Sequence, residues 1–315
     1  MLRILILLSA LWASCAPAVA AQRHVLIVND DGLTSNVLAL YRALKARGDD
    51  VIVSVPCHNQ SGQGTALRLE PPAPLDRDCR AGAAKAGAPA AGPMTRTGLP
   101  PADFHYIDGT PTMALLYGVD MLAAARWHGG PDLVLSGPNE GRNAGPSILA
   151  SGTVSAVRFA LVRGIPAIAL SAGAQTGDDR DLANPASARI ADRAVGLIAA
   201  LDRLAGEARL IPAGLALNVN FPDAPDAARW RAARIGTYDA YAVTMVPDAA
   251  GARLSLGANP HPPTAAQAGD EAALVRDAIT ISPIRDDNAT PTPGSAAAWL
   301  KRLLRSEKLL DPVDH

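Results

Sequence analysis

The sequence predicts an α/β fold built on a mostly parallel sheet, and three observations predict it. Apolar runs of strand length alternate along the chain with longer segments of helical periodicity. The first run, Val25–Val28, is aliphatic throughout, as in strands that are buried on both faces of a parallel sheet. With 315 residues, 49% of them hydrophobic, the chain can support a substantial core.

The N-terminus is typical of a secretion signal. A short basic start precedes the apolar stretch Ile4–Trp12, and Ala18–Ala20 fits the small-x-small cleavage rule. We therefore predict a signal peptide over residues 1–20, a single domain over 21–315 and a periplasmic or secreted protein. An alternative is lipidation at Cys15. The apolar stretch is too short to span a membrane.

Charge and cysteine content narrow the class of protein further. The formal net charge of −1 argues against bulk nucleic-acid binding and against binding to anionic membranes, because both partners normally require a basic face. Cys57 and Cys79 remain after removal of the leader. An oxidising compartment would permit them to pair, but two unrelated buried thiols are equally compatible with the spacing.

The first predicted unit is strand, helix and strand. After Val25–Val28, either Thr34 or Ser35 can cap a helix that ends at Gly48. Val51–Val55 is the next apolar run, so the three segments form a βαβ unit.

Two adjacent carboxylates, Asp30 and Asp31, follow the first strand directly. In open α/β sheets the ligand crevice lies beyond the carboxyl ends of the strands, which is where this strand would deliver them. An ordinary Asx-type turn is the alternative. The loop His58–Gly64 follows the second strand and would bring the Ser61 hydroxyl to the same edge. His58 is a candidate acid or base there, although most loop histidines are simply solvated.

The middle of the chain contains an irregular segment and a second polar loop. Residues from about 80 to 101 are dominated by Ala, Gly and Pro and are expected to form a mobile insertion with little core. Further on, Leu133–Ser136 is a buried strand, and it opens onto a glycine-rich loop. Asn139 and Asn143 in that loop can ligate a metal or hold a phosphate without adding charge.

Ser151, Gly152 and Thr153 stand at the start of a predicted helix that reaches Arg163. A helix N-terminus offers free N–H groups and the positive end of a dipole, so it can hold an anion, although Ser151 and Thr153 can also serve as plain caps. The other predicted elements are strands Phe104–Ile107, Ile165–Ser171, Leu215–Phe221 and Ile279–Ile284, and helices Thr112 to about Trp127, Ser187–Leu204 and Ser295–Arg305. Residues from about 222 to 290 are expected to contain an extended arm or subdomain.

Five motifs occur in the order N-D-D-G at 29–32, Q-S-G at 60–62, G-T-P at 109–111, S-G-P-N-E-G-R-N-A-G at 136–145 and S-G-T-V at 151–154. L-N-V-N-F-P at 217–222 and I-T-I-S-P-I at 279–284 are lesser matches. Together they resemble the SurE family of 5′/3′-nucleotidases over nearly the whole mature chain.

The resemblance implies a metal-dependent phosphatase acting on nucleoside monophosphates. It implies a Rossmann-like, three-layer α/β/α core, with the extended C-terminal part used to form a homo-oligomer, a dimer or tetramer. By matching positions, the metal ligands are Asp30, Asp31, Ser61 and Asn139, with the two aspartates also catalytic. Asn143, Ser151, Gly152 and Thr153 match phosphate-binding positions. This largely oxygen donor set suits Mg²⁺ or Mn²⁺ rather than zinc.

The chain departs from the family pattern at two places in the fold. Met113–Ala114 stands where the family usually has an Asp-Cys pair, and Val157–Ala160 replaces an acidic, glycine-containing helix end. These departures concern helix packing, base preference and subunit contacts rather than the matched ligands. The secretion signal is a third departure, since family members are commonly cytoplasmic.

Two other functions share some of these features. A receiver-type signalling domain also carries acidic pairs after its first strand, but it needs a phosphoacceptor Asp after the third strand. Here Leu133–Ser136 ends in Gly-Pro-Asn. The second alternative is a periplasmic nucleotide- or metal-binding protein of the same fold that has lost turnover.

Overall fold

The computed structural model describes residues 22–177, 181–206, 208–285 and 295–306. The predicted signal peptide at residues 1–20, with Cys15, lies outside these residues. The strands that the structure describes are, in chain order, β1 (His24–Val28), β2 (Asp50–Pro56), β3 (Ala91–Pro93), β4 (Phe104–Ile107), β5 (Leu133–Asn139), β6 (Ala167–Ser171), β7 (Leu215–Asn220), β8 (Arg229–Ala232), β9 (Tyr241–Asp248), β10 (Gly251–Ala258) and β11 (Ala278–Arg285).

Within the described residues, one nine-stranded sheet has the order β3-β4-β2-β1-β5-β6-β7-β11-β8, and β9 pairs with β10 in a separate hairpin. The pairings in the large sheet are parallel except for β3 with β4 and β7 with β11. The predicted mostly parallel sheet is therefore confirmed.

Helices cover both faces of this sheet. The helices of the described residues are α1 (Ser35–Arg47), α2 (Pro111–Tyr117), α3 (Ala124–Trp127), α4 (Gly152–Val162), α5 (Pro185–Ala205), α6 (Glu271–Leu274) and α7 (Ser295–Ser306). Val25 and Ile27 of β1 belong to the core formed with α1, α5 and α7, whereas Leu26 and Val28 belong to the core formed with α2 and α4. Alternate residues of a strand point to opposite faces, so these two cores confirm three layers.

Local sequence signals explain where several elements begin and end. Thr34, rather than Ser35, caps α1: its side chain accepts a hydrogen bond from the Val37 N–H at 3.2 Å. Gly48 ends the helix in the left-handed region, with φ of +96°. Strand β5 runs on to Asn139 instead of stopping at Ser136.

The helix predicted from Thr112 to Trp127 is interrupted. A π-helical stretch, Gly118–Ala123, separates α2 from α3. At Gly118 the helix lies so close to β1 that a Cβ would be 2.7 Å from Leu26 Cδ1. Helical periodicity indicates the apolar face of this segment but not the register change within it.

The expectation that residues 80–101 have little core is wrong. Ala83, Ala84 and Met94 are buried, and β3 pairs with β4. A disulfide joins Cys57 to Cys79, with a Cα–Cα distance of 4.7 Å. Small side chains and a covalent link provide this segment with a core that its composition does not indicate.

The predicted C-terminal extended region divides into two parts. Strands β8 and β11 complete the large sheet, while the β9–β10 hairpin stands apart from it. No helix of the described residues combines the length and apolarity needed to cross a bilayer.

The order of the strands fixes where a ligand can bind. From β1 the chain turns to β2 on one side, and it later returns to place β5 on the other side of β1. In open sheets the crevice forms at such a reversal, beyond the carboxyl ends of the strands. In this protein that position is the end of β1 and β5.

Candidate active site

Asp30 and Asp31 lie at this reversal, directly after β1, and each is 3% exposed. The Asn29 side chain fixes the turn by accepting from the Asp30 N–H at 2.8 Å and donating to the Gly32 carbonyl at 3.1 Å. Gly32 has a φ of +85°, and a Cβ there would be 3.0 Å from the Pro56 carbonyl oxygen. The turn therefore requires glycine, and it holds two carboxylates side by side.

Helix α4 packs onto Asp30. The Thr153 hydroxyl donates to Asp30 Oδ1 at 2.9 Å. Gly152 makes this approach possible, because a Cβ at that position would lie 2.8 Å from Asp30 Cβ and 2.6 Å from Pro111 Cγ. The conformation of Asp30 thus depends on the first turn of α4.

Asp31 is held from two other loops. Its Oδ1 accepts from Asn59 Nδ2 at 3.0 Å and from Ser61 Oγ at 3.4 Å. Its Oδ2 accepts from the backbone N–H of Glu140 at 2.9 Å. The ends of β1, β2 and β5 therefore meet at this one carboxylate.

The two aspartates are strongly perturbed electrostatically. Burial, and then the charge of neighbouring Asp31, raise the pKa of Asp30 to about 7, against the hydrogen bonds from Thr153 that lower it. Burial also raises the pKa of Asp31, although the Glu140 N–H and the nearby Arg80 charge oppose this effect. Two buried carboxylates this close favour either a proton or a bound cation.

Asn139 offers an unused acceptor beside them. Its Nδ2 donates to the Gly141 carbonyl at 2.9 Å, but its buried Oδ1 has no hydrogen-bond partner among the described residues. A buried acceptor without a donor is unfavourable to the fold. A bound cation or a water molecule would satisfy it. With Asp30, Asp31 and Ser61, this oxygen forms a donor set that fits a hard divalent cation.

The amino acids more usual in zinc sites are not gathered here. No group of three or more His, Cys, Asp or Glu side chains that could hold a metal occurs in the described part of the chain. The fit to a cation thus depends on the hydroxyl and amide oxygens of Ser61 and Asn139, together with the two carboxylates.

The four residues matched to phosphate binding are engaged within the protein. The side-chain nitrogen of Asn143 donates to Ser171 Oγ at 3.0 Å, and its backbone N–H donates to Asn220 Oδ1 at 2.9 Å. Ser151 caps α4 by accepting from the Val154 N–H at 3.1 Å. Thr153 donates its hydroxyl hydrogen bond to Asp30, and Gly152 allows α4 to pack closely against Asp30. Their role toward phosphate stays a prediction.

Sequence reasoning missed three residues that contact the aspartates. Asn59 and Glu140 donate to Asp31, and Arg80 Nη1 donates to the Asp31 carbonyl at 3.0 Å. Asn59 lies in the predicted His58–Gly64 loop and Glu140 within the motif at 136–145, so both stood in segments that the sequence had already singled out. Arg80 lies in the insertion at residues 80–101, where no motif marks it as a site residue.

His58, the candidate acid or base, has other contacts. Its Nε2 lies 3.6 Å from Cys57 Sγ and 3.2 Å from Arg77 Nε. Burial and the Arg77 charge lower its pKa. These contacts give it no place in the group around Asp30 and Asp31.

Comparison with known proteins finds matches over most of the chain. Residues 25–241 match the family model described as Survival protein SurE. The chain is 32% identical to the 5′/3′-nucleotidase SurE of Edwardsiella ictaluri, over 89% of this chain and 97% of the relative. It is 35% identical to an acid phosphatase of Yarrowia lipolytica, over 66% of this chain and 59% of that protein. The chain thus spans about three fifths of the length of the Yarrowia protein.

A solved structure is similar over almost its whole length. The SurE protein from Aquifex aeolicus superposes with a TM-score of 0.60 and 28% identity, covering 88% of this chain and 99% of that one.

Proposed function

The chain belongs to the SurE family, and on that premise we propose that it is a phosphomonoesterase that hydrolyses nucleoside monophosphates to nucleoside and phosphate. One observation carries the proposal. Two buried aspartates lie at the topological reversal of the sheet, beside an unpaired acceptor on Asn139 and the N-terminus of α4. Cation donors and an anion-binding helix end are two features that can stabilise the charge of a phosphoryl group during its transfer.

We further propose that the site holds a divalent cation, Mg²⁺ or Mn²⁺. Asp30 and Asp31 would hold it, with Ser61 Oγ and Asn139 Oδ1 as neutral donors. Oxygen ligands of this kind suit hard cations. When bound, such a cation supplies positive charge for the phosphoryl oxygens and for activating a water.

The residues around the aspartates have separate tasks. Thr153 holds Asp30, while Asn59 and the Glu140 N–H hold Asp31, so both carboxylates are oriented before any substrate binds. Such preorganisation spares the site a rearrangement during the reaction. We assign Asn143 and the Ser151–Thr153 turn to the substrate phosphate, because the positive end of the α4 dipole favours an anion there.

The activity is tested directly by phosphate release. The purified protein is incubated with a panel of nucleoside 5′- and 3′-monophosphates and an aryl phosphate, with Mn²⁺, with Mg²⁺ or with chelator. We expect release from nucleotides with either metal and loss of release with chelator. Nucleotide binding without release would instead support the inactive binding protein.

We propose that the protein forms a homo-oligomer through the β9–β10 hairpin. Paired residues of its two strands place Val243, Met245, Leu254 and Leu256 on one face, all 51–65% exposed. An apolar face of this kind on a projecting hairpin is typical of a protein interface. A second copy of the same chain is the partner that we propose for it.

We also propose export by the N-terminal leader. The Cys57–Cys79 disulfide supports this proposal, since structural disulfides persist mainly in oxidising compartments. Cell fractionation followed by N-terminal sequencing tests it: a chain in the periplasm or medium that begins near residue 21 is expected, whereas protein confined to the cytoplasm with an intact Met1 would contradict export.

A further inference from the structure

Arg80 connects the disulfide to the candidate active site. It follows Cys79 directly, and its backbone N–H donates to the Cys57 carbonyl at 2.9 Å. From there its guanidinium reaches the end of β1, where Nη1 donates to the Asp31 carbonyl at 3.0 Å. The residue thus lies between a covalent anchor and one of the two aspartates.

Arg80 also binds the loop that follows β5. Its Nη2 lies 2.7 Å from Glu140 Oε1 and 2.9 Å from Oε2. The Arg80 side chain is 25% exposed and that of Glu140 is 11% exposed, so the ion pair is only partly screened by solvent. The planar guanidinium bridges the ends of two strands with one side chain.

These contacts hold Asp31 at both ends. Arg80 binds the backbone carbonyl of Asp31, and Glu140 donates its own N–H to Asp31 Oδ2 at 2.9 Å. Fixing Glu140 therefore fixes the donor that orients the carboxylate. Residues that orient metal ligands in this way commonly change metal affinity when they are substituted.

The disulfide joins the segment that carries Arg80 to the segment that leads to Ser61. Cys57 and Cys79 are 1% and 4% exposed, so the bond is buried beneath the insertion that carries Arg80. Cys57 also lies four positions before Ser61, at the base of the loop that reaches Asp31. Without the bond, only non-covalent contacts would join these two segments, among them the hydrogen bond from the Arg80 N–H to the Cys57 carbonyl and the contact of Arg77 with His58.

We propose that Arg80 and Glu140 form a clamp that positions Asp31, and that the Cys57–Cys79 disulfide sustains metal affinity through this clamp. The inference rests on the proposed metal-dependent function and adds positioning residues to it. A looser Asp31 lowers affinity for the cation. When the cation saturates the site, the same protein oxygens hold it as in the wild type.

The test measures Mn²⁺ binding to metal-free protein by calorimetry, with no substrate present. Arg80→Gln/Glu140→Gln removes the ion pair without changing net charge. We expect its Kd for Mn²⁺ to rise on the order of tenfold. Its kcat at saturating Mn²⁺ should recover to near that of the wild type. Asp78→Asn/Lys85→Gln, which removes an exposed ion pair and also keeps the net charge, is the matched control and should leave Mn²⁺ affinity unchanged.

The role of the disulfide is tested by non-additivity. Cys57→Ser/Cys79→Ser should weaken Mn²⁺ binding by a similar factor. The combined four-residue variant should bind no more weakly than Arg80→Gln/Glu140→Gln alone, since both changes act on one contact chain. Near-UV circular dichroism verifies the fold of each variant.

Three results would overturn the inference. The first is unchanged Mn²⁺ affinity in Arg80→Gln/Glu140→Gln. The second is a combined variant whose losses multiply, which places the effect of the disulfide elsewhere. The third is a cysteine variant that does not fold, which makes the bond a general structural requirement. Wild-type protein that neither binds Mn²⁺ nor releases phosphate would contradict the proposed function instead.

Discussion

Ionisation of both Asp30 and Asp31 lowers the stability of the folded protein, because burial raises the pKa of each carboxyl group. A group whose pKa is raised on folding contributes stability below its unfolded pKa, and that contribution is lost as the pH rises through the folded pKa. For Asp30 this range runs from 3.8 to about 7. At pH 8 the metal-free protein therefore contains a strained pair, and a bound cation would relieve it.

Asp30→Asn separates this effect on stability from catalysis. We expect phosphate release to fall by at least about a hundredfold, because one of two charges that hold the cation is removed. The metal-free variant should unfold at the same or a higher temperature than the wild type at pH 8, since the new amide keeps an acceptor for Thr153 without the charge. Asp120→Asn, an exposed aspartate paired with Arg163, is the control for both measurements. A fully active, metal-replete Asp30→Asn variant would contradict the assignment.

Glu271 is a second buried acid whose protonation affects the fold. Its carboxylate accepts from the Gly145 N–H at 3.0 Å and from Asn218 Nδ2 at 3.0 Å, and it is 0% exposed. Burial raises its pKa from 4.5 to about 7. Burial therefore makes the ionised carboxylate unfavourable to the fold, although the hydrogen bonds from Gly145 and Asn218 oppose this effect on the pKa.

Glu271→Gln removes this titration while keeping an acceptor for both donors. Because the folded pKa is the higher one, the wild type loses stability between pH 4.5 and about 7 that the variant keeps. We expect the free energy of unfolding of the variant, relative to the wild type, to rise by about 1 to 3 kcal/mol between pH 5 and pH 8. Urea unfolding at both values measures it, with exposed Glu70→Gln as control. Equal pH dependence in wild type and variant would contradict a buried, protonated Glu271.

Helix α4 shows how the placement of one element determines the geometry of the site. Its first residue, Gly152, lies against Asp30, whereas Gly196 in α5 has no atom within 4 Å of a potential Cβ. The same substitution should therefore have opposite consequences in the two helices.

Gly152→Ala forces a Cβ to within 2.8 Å of Asp30 Cβ, so the helix or the aspartate must move. We expect phosphate release to fall by at least about tenfold, as small misplacements of reacting groups do. Gly196→Ala should leave phosphate release unchanged and raise the free energy of unfolding by roughly 0.5 to 1 kcal/mol, because alanine is favoured in helices. Normal activity in Gly152→Ala would show that α4 need not approach Asp30 this closely.

Most elements were predictable because their signals are local. Aliphatic runs, helix caps and turn residues lie within a few positions of the structure that they produce, so β1, α1 and α4 begin and end close to the predicted bounds. Strand β3 was not predictable, since its residues Ala91–Pro93 pair with β4 only after the insertion folds. The π-helical stretch likewise depends on how closely a helix approaches β1.

The residues of the candidate site likewise divide into those with local sequence signals and those that only tertiary contacts reveal. Asp30, Asp31, Ser61 and Asn139 each lie in a recognisable motif at or just after the end of a strand, and the topology brings these strand ends together. Arg80 enters from a segment with no periodic pattern, so only the tertiary structure could reveal it. Glu271 was hidden for a related reason: its partners, Gly145 and Asn218, are distant in sequence.

At the scale of the molecule, the β9–β10 hairpin carries four of the nine large hydrophobic side chains that are exposed among the described residues. Met245→Glu/Leu254→Glu should disrupt association through its apolar face, because charges would be buried there. We expect light scattering coupled to size exclusion to show a smaller species than the wild type. Met121→Glu, which alters an equally exposed methionine elsewhere, is the control. A monomeric wild type would contradict the proposed interface.

The position of β11 between β7 and β8 has a consequence for the time at which the protein becomes active. Glu271, just before this strand, supports the glycine-rich loop, and Thr280 lies opposite Asn220 in the sheet. During translation, Asp30 and Asp31 are synthesised early, whereas Glu271 and Thr280 are synthesised near the end. Contacts so distant in sequence also form late in folding. The nascent chain therefore carries Asp30 and Asp31 for most of its synthesis without the residues that support the glycine-rich loop, and we expect the candidate site to be complete only once β11 is in place.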